Sequence, residues 1–304
     1  MLSTQAQEKK KKKRPLNEMF VRYPLHKAHV QLSTGESVTV PYHVYNGWAS
    51  AVIGCCDLEQ ARKVCEQEDY QPVETDSGKA LGMISFWEFG DANAGPHTEF
   101  QFTLLVSTKD DPIVVIPETP FATSKAMALD PRVHCMIAEL YNNTSTVVAY
   151  NNEIFALNAI LANTHYSRDQ NTFQVETADG KLIAKANFGA SRRLQDDLSA
   201  VLSMLWHFGY KNLSKLLEAP YAVAQMTSRC HGTPPSKLSS NVTSLACTKI
   251  EKIITQWYDP QRHQLELGTA SHTLHKMQFN PTVVFHYEGI DFCYLCPIDA
   301  PRTF

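Results

Sequence analysis

After residue 20, the chain is dominated by short runs rich in β-branched and aromatic residues, broken by Gly, Pro, Asn or Asp. Runs of that composition and length predict strands. They fall at 48–53, 82–89, 100–106, 113–116, 133–140 and 146–150. Residues 29–32 and 37–40 flank Thr34-Gly35 and read as a hairpin. Residues 173–176 and 182–186 enclose Ala178-Asp179-Gly180, where the glycine supplies the positive φ of a tight turn. A third hairpin is predicted from 282–287 and 291–296 around Glu288-Gly289.

Helical periodicity is confined to fewer places. Asp57 is a good N-cap for a helix over 58–67, with Gln60 set three residues later as in a capping box. Leu194, Leu198, Val201, Leu202, Leu205 and Phe208 form an amphipathic stripe ending at Gly209. Residues 212–217 extend it before Pro220, and Ile250, Ile253, Ile254 and Trp257 predict a further helix stopped at Pro260. Residues 230–244, with Gly232, Pro234 and Pro235, read as a surface loop. Strands outnumber helices and several pair as hairpins, so the expected class is α+β with a mainly antiparallel sheet and flanking helices. One domain over 21–304 is expected, with a helical insertion at about 192–260 behind a disordered basic tail over 1–20.

The 304 residues are 43% hydrophobic and 19% charged, enough apolar material for a sizeable core. No apolar run approaches the roughly twenty residues a membrane helix needs. Net charge is −3, but six basic residues sit between Lys9 and Arg14, leaving 22 basic against 31 acidic residues elsewhere. The body is therefore acidic and no nucleic-acid partner is expected. The basic run resembles a nuclear-import sequence or an anionic-lipid patch, but so short a terminal Lys run has little specificity and reads first as a solvated, self-repelling terminus. The start lacks the apolar stretch of a secretory signal, which places the protein in the cytoplasm and makes the sequons at Asn142, Asn143, Asn212 and Asn241 idle. Eight scattered cysteines then read as free thiols. A homo-oligomer is compatible with this composition.

The order strand, Asp57-initiated helix with Ala61-Arg62-Lys63-Val64, Gln71-Pro72-Val73, a strand over 81–89, then Gly95-Pro96-His97-Thr98-Glu99 resembles the acetoacetate decarboxylase superfamily. Asn152-Glu153-Ile154-Phe155-Ala156-Leu157 resembles that family's Arg-Glu segment, and the stretch from Asp179-Gly180 to Gly189 its following hairpin. The resemblance implies a β-cone around a small-molecule pocket. It places Glu99 at a pocket glutamate, Glu153 at the glutamate of the Arg-Glu pair, and Cys55 where the family has a substrate-binding arginine. The family's two adjacent lysines, one of which forms an imine with the substrate ketone, fall on Ala159 and Ile160. Neither can form an imine, and no lysine occurs between Tyr150 and Gly180. Lys125, Lys181 and Lys185 lack the second cation that would depress an amine's pKa.

What remains is carboxylate and imidazole chemistry. Glu99, Glu153 and His97 are the candidate general acids and bases, with Cys55, Asn152 and Ala159 lining the substrate. A lyase or isomerase acting on a small oxo acid or polyketide-like molecule, with no organic cofactor, is the expected function. The rival is a non-catalytic ligand-binding or interaction protein that kept the cavity after losing the amine. Cys55 and Cys56 stand at a helix N-terminus that could stabilise a thiolate, but with no base in the pattern they read as small buried hydrophobes, and Trp206 and Trp257 as core. Cys293-Tyr294-Leu295-Cys296 has the spacing of a zinc half-site, and His263, His272 and His275 form a loose set, but neither completes a metal-ligand pattern and no metal is expected.

Overall fold

The computed structural model describes residues 17–113, 115–119, 122–123, 125–126, 130–189, 222–229 and 242–295. The basic run, the predicted helices over 194–208 and 212–217, Trp206, Cys230 and Cys296 lie outside the described residues. Helix α1, Glu18–Arg22, begins inside the segment expected to be a tail and buries Met19 and Phe20. Asn17 caps it by accepting a hydrogen bond from the Met19 N–H.

A hairpin of β1, His29–Gln31, and β2, Ser37–Thr39, leads into β3, Tyr42–Asp57. Asp57 then caps α2, Leu58–Cys65, accepting from the Gln60 N–H at 2.9 Å as the sequence predicts. The edge strand β4, Tyr70–Pro72, precedes β5, Lys79–Ala92, and β6, His97–Thr108. Strand β7, His134–Asn142, and helix α3, Ser145–Ile154, follow, then β8, Ile160–Leu161. Strands β9, Asn163–Ser167, β10, Thr172–Glu176, and β11, Leu182–Asn187, form a meander. The remaining strands are β12, Ala222–Thr227, β13, Thr243–Trp257, β14, Gln264–Leu267, and β15, Asn280–Leu295.

Seven strands close on themselves in the order β6-β5-β3-β15-β13-β12-β7, with β7 pairing back onto β6. Every pairing in this barrel is antiparallel except β12 with β7. Closure removes the exposed edges that an open sheet would carry. A four-stranded sheet, β14-β11-β10-β9, covers part of the barrel's outer face. Trp48, Phe86, Phe100 and Phe102 from the barrel pack there against Phe173, Ile183 and Phe188.

Four expectations change. Residues 146–150 are helical: the Thr144 side chain accepts from the Val147 N–H, and this cap overrides the strand preference of Val147 and Val148. Ile250, Ile253, Ile254 and Trp257 lie on strand β13, whose long ladder with β15 overrides their helix-like spacing. The described part of the segment expected as a helical insertion is thus barrel wall. The hairpin predicted around Gly289 is one continuous strand, held by β3 on one side and β13 on the other. Gly289, at φ +64°, sits at a bulge there, where a Cβ would lie 2.3 Å from the Glu251 carboxylate. Finally, the strand expected over 113–116 is reduced to a single bridge between Thr75 and Ile116.

Candidate functional site

Strand β6 carries two alternating faces. Phe100, Phe102, Leu104 and Val106 point outward into the core beneath the second sheet. Glu99 and Gln101, on the other face, point into the barrel. There they meet a cavity of about 220 Å³ to which all seven barrel strands contribute. Its walls are aromatic and aliphatic: Trp87 and Phe89 from β5, Ile137 from β7, Met226 from β12, Ile250 from β13, and Tyr287 and Phe292 from β15. Asn151 of α3 and Leu157 line it beside Glu99, Tyr42 and Tyr294. The Tyr294 hydroxyl is buried beside Ser244 without a hydrogen bond of good geometry among the described residues.

Glu99 is 6% exposed. Burial raises its pKa above the ordinary carboxylate value, because the charged form loses hydration inside an apolar barrel. Hydrogen bonds from Asn142, Gln101 and Asn151 act against that rise. Asn142 Nδ2 donates to one carboxyl oxygen at 2.7 Å, and Gln101 Nε2 donates to the other. Asn151 Nδ2 also donates to Asn142 Oδ1 at 3.1 Å, fixing the amide that holds the carboxyl. A desolvated carboxyl held by oriented amides is poised to exchange a proton with a ligand.

His97 lies on the same strand, 4% exposed, behind the cavity wall. Its Nδ1 is 2.8 Å from the Gly95 carbonyl and its Nε2 2.7 Å from the Tyr42 hydroxyl. Burial lowers its pKa to about 4, so it is neutral at pH 7.

The other sequence-derived candidates lie elsewhere. Glu153 is exposed at the end of α3, where its carboxylate accepts hydrogen bonds from the Ser33 backbone N–H at 3.1 and 3.2 Å and from the Ser33 hydroxyl. Asn152 is exposed, and its amide clasps the Ala159 backbone, donating to the Ala159 carbonyl at 2.9 Å. Ala159 is buried with Tyr150 and Phe155 beside the barrel and does not line the cavity. Cys55 borders a separate crevice with Lys79 and Glu118, and burial pushes its thiol up to about 12, which removes nucleophilic character. The six described cysteines are all buried free thiols.

No described lysine lines the cavity. Lys181 pairs with Asp179 on the surface at 2.8 Å, and Lys125 and Lys185 are exposed. Among the described residues no group of three His, Cys, Asp or Glu side chains could hold a metal. No described helix is long and apolar enough to cross a membrane.

Of the two candidates on β6, Glu99 lines the cavity and His97 lies behind its wall; Gln101, Asn142, Asn151 and Tyr42 beside them are not singled out by the sequence. The signal for Gln101 was present in His97-Thr98-Glu99-Phe100-Gln101-Phe102, where polar and aromatic residues alternate. In most strands the polar face of such a pattern meets water; here it lines a barrel whose outer face is the one in the core.

No protein-family model matches the chain, and no curated protein matches it significantly. Solved structures do. An acetoacetate decarboxylase from Legionella pneumophila subsp. pneumophila str. Philadelphia 1 is 14% identical, aligned over 84% of this chain and 86% of that one with a TM-score of 0.52. A second acetoacetate decarboxylase structure is 15% identical over 85% and 88% of the two chains, with a TM-score of 0.51. The chain has the acetoacetate decarboxylase-like fold, an α+β cone of mainly antiparallel strands. At these identities it is a divergent example of that fold.

Proposed function

We propose that the protein is a lyase- or isomerase-type enzyme that moves a proton on a small enolisable carbonyl compound, with Glu99 as general acid and base and without an imine. The observation that supports this reading is the placement of one desolvated, amide-held carboxyl inside an apolar cavity. A carboxyl with a raised pKa can protonate a carbanion or enol carbon and recover the proton on the reverse step. The cavity suits an uncharged molecule of a few heavy atoms up to a single substituted ring, the polyketide-like rather than the oxo-acid side of the expected range, because no described cation lines it to meet a carboxylate. The same fold in two acetoacetate decarboxylases supports a carbonyl substrate. The exposed position of Glu153, fastened to Ser33, supports a role in holding the β1–β2 turn against α3.

Incubating the protein with neutral ketones and oxo acids in heavy water, and following deuterium uptake beside the carbonyl by NMR, tests the assignment. The wild type catalyses uptake into at least one of them, Glu99→Gln slows it by roughly a hundredfold or more, and Glu153→Gln leaves it unchanged. Borohydride added to the same mixtures leaves the protein's mass unaltered. Full activity in Glu99→Gln contradicts the role given to that residue, and a reduced adduct on a lysine restores an imine mechanism. Tight binding without uptake identifies a binding protein instead.

A further inference from the structure

Beside Glu99 the barrel holds a hydrogen-bonded pair, Tyr42 and His97. A backbone carbonyl can only accept, so the 2.8 Å contact between His97 Nδ1 and the Gly95 oxygen places the ring proton on Nδ1. A neutral imidazole has one such proton, and Nε2 is therefore the acceptor of the 2.7 Å bond from the Tyr42 hydroxyl. The turn that supplies the carbonyl is itself fixed: Gly95 adopts φ +86°, open to glycine without strain, and its N–H bonds back to the Ala92 carbonyl at 3.0 Å. Tyr42 in turn is boxed by the rings of Tyr150, Phe89 and Phe292, at centroid distances of 5.4, 6.4 and 6.3 Å. Tyr42 lines the cavity and His97 does not, so the imidazole reaches a ligand only through the phenol.

We propose that Tyr42 is a second catalytic residue, that His97 is its positioning and proton-accepting partner, and that the ligand taken at this site is an uncharged enol- or phenol-type hydroxyl compound. This rests on the reading of Glu99 as the acid. The ligand hydroxyl donates to the phenolic oxygen of Tyr42, whose remaining lone pair is free for it. As the ligand O–H bond breaks, its proton passes to Tyr42 and the tyrosine's own proton passes to His97 Nε2. The electron pair left on the ligand oxygen forms C=O, the former C=C pair takes the Glu99 proton, and a C–H bond is made. The ligand is isomerised from enol to ketone, and the proton gained by His97 and that lost by Glu99 are exchanged with water after release. An uncharged ligand suits these walls because Glu99 is the only ionisable acid or base among the described aliphatic, aromatic and amide side chains named around it, the phenols and a buried Cys135 aside. An anion would enter without a described cation to meet it.

The test uses the full chain with isotope-labelled histidine nitrogen, titrated with para-chlorophenol as an unreactive enol mimic. In the wild type, binding displaces the His97 Nε2 resonance toward a protonated nitrogen while Nδ1 keeps its proton. Tyr42→Phe binds the phenol roughly tenfold more weakly, the loss of one hydrogen bond, and abolishes the displacement. His97→Gln, which keeps an acceptor for Tyr42 but cannot take a proton, preserves phenol binding and removes the pH dependence of deuterium uptake that stems from the imidazole. A merely structural His97 would leave that pH profile unmoved. A wild-type Nε2 resonance unchanged by bound phenol, or no phenol bound in the barrel, overturns the relay, and this arm decides even if Tyr42→Phe fails to fold. Glu99-dependent uptake with a silent His97 removes the relay and leaves the Glu99 reading standing. A responsive His97 without uptake removes the Glu99 reading and the isomerisation with it, leaving only a hydrogen-bonded hydroxyl site at Tyr42.

Discussion

Chemical denaturation at falling pH will show the protein losing most of its stability between pH 6.5 and about 4. Three buried histidines, His43, His97 and His286, are each lowered to about 4, chiefly by desolvation. In His43 and His97 both ring nitrogens are engaged in bonds suited to the neutral ring, whereas His286 is buried with its Nδ1 on the Ser50 hydroxyl at 2.7 Å. His43 Nε2 donates to the Tyr23 carbonyl at 2.8 Å while its Nδ1, at 3.1 Å, accepts from the Tyr45 hydroxyl, the pattern that His97 repeats with Gly95 and Tyr42. In the unfolded chain the same residues titrate near about 6.5. Between the two values the unfolded state binds protons that the native state refuses, so stability rises with pH across this window and falls as acid is added. Each histidine contributes about 3 kcal/mol over the full window, and three together approach the roughly 5–15 kcal/mol that holds a typical domain. Glu99, with its pKa raised, works in the opposite direction but with one proton against three. Urea midpoints measured at steps from pH 7.5 to 4.5 check this; a flat profile contradicts the burial of neutral histidines.

The second large effect is expected at Phe86. Its ring is fully buried and meets Phe173 at 4.6 Å, Phe100 at 5.1 Å, Tyr166 at 6.0 Å and Phe188 at 6.1 Å. Three of these partners come from the meander and its exit, so Phe86 joins the barrel to the sheet that covers it. Trp48 extends the stack, lying 5.4 Å from Phe173 with nearly parallel rings. Truncation to alanine removes transfer energy and leaves a cavity that a closed barrel cannot collapse to fill, so Phe86→Ala should cost about 4 kcal/mol. The denaturation midpoint reads this directly, with an unchanged slope. A loss below about 1 kcal/mol would mean that the covering sheet is not docked through this ring.

These two effects also show what the sequence made legible. Strand positions along 82–89 and 100–106 followed from β-branched and aromatic enrichment, and the Asp57 cap from its local chemistry. Local signals failed where long-range pairing took over. Ile253 and Ile254 carry helix-like spacing, yet each has a cross-strand partner on β15, Tyr287 and His286. The stretch around Gly289 carries a turn signal, but neighbours on both sides pull the chain straight and leave only a bulge. At the site, Glu99 was reached through the resemblance carried by Gly95-Pro96-His97-Thr98-Glu99, and His97 only as its neighbour in that element. The amides of Asn142 and Asn151 were not legible, because one ends β7 and the other sits in α3, and only closure of the barrel brings them to the same carboxyl. Glu153 could be assigned a pocket only by analogy, and nothing in its neighbours announced the contact with Ser33, 120 residues away.

The barrel holds the Glu99 carboxyl with its pKa raised above the ordinary value by burial. Difference infrared spectroscopy of wild type against Glu99→Gln, recorded over a pH titration, isolates the C=O stretch of that group. A protonated carboxyl band from Glu99 is expected to persist clearly above the ordinary glutamate value of about 4.3 and to shift when a neutral ketone is added. A band that vanishes at or below that value, with no response to ketone, would contradict it.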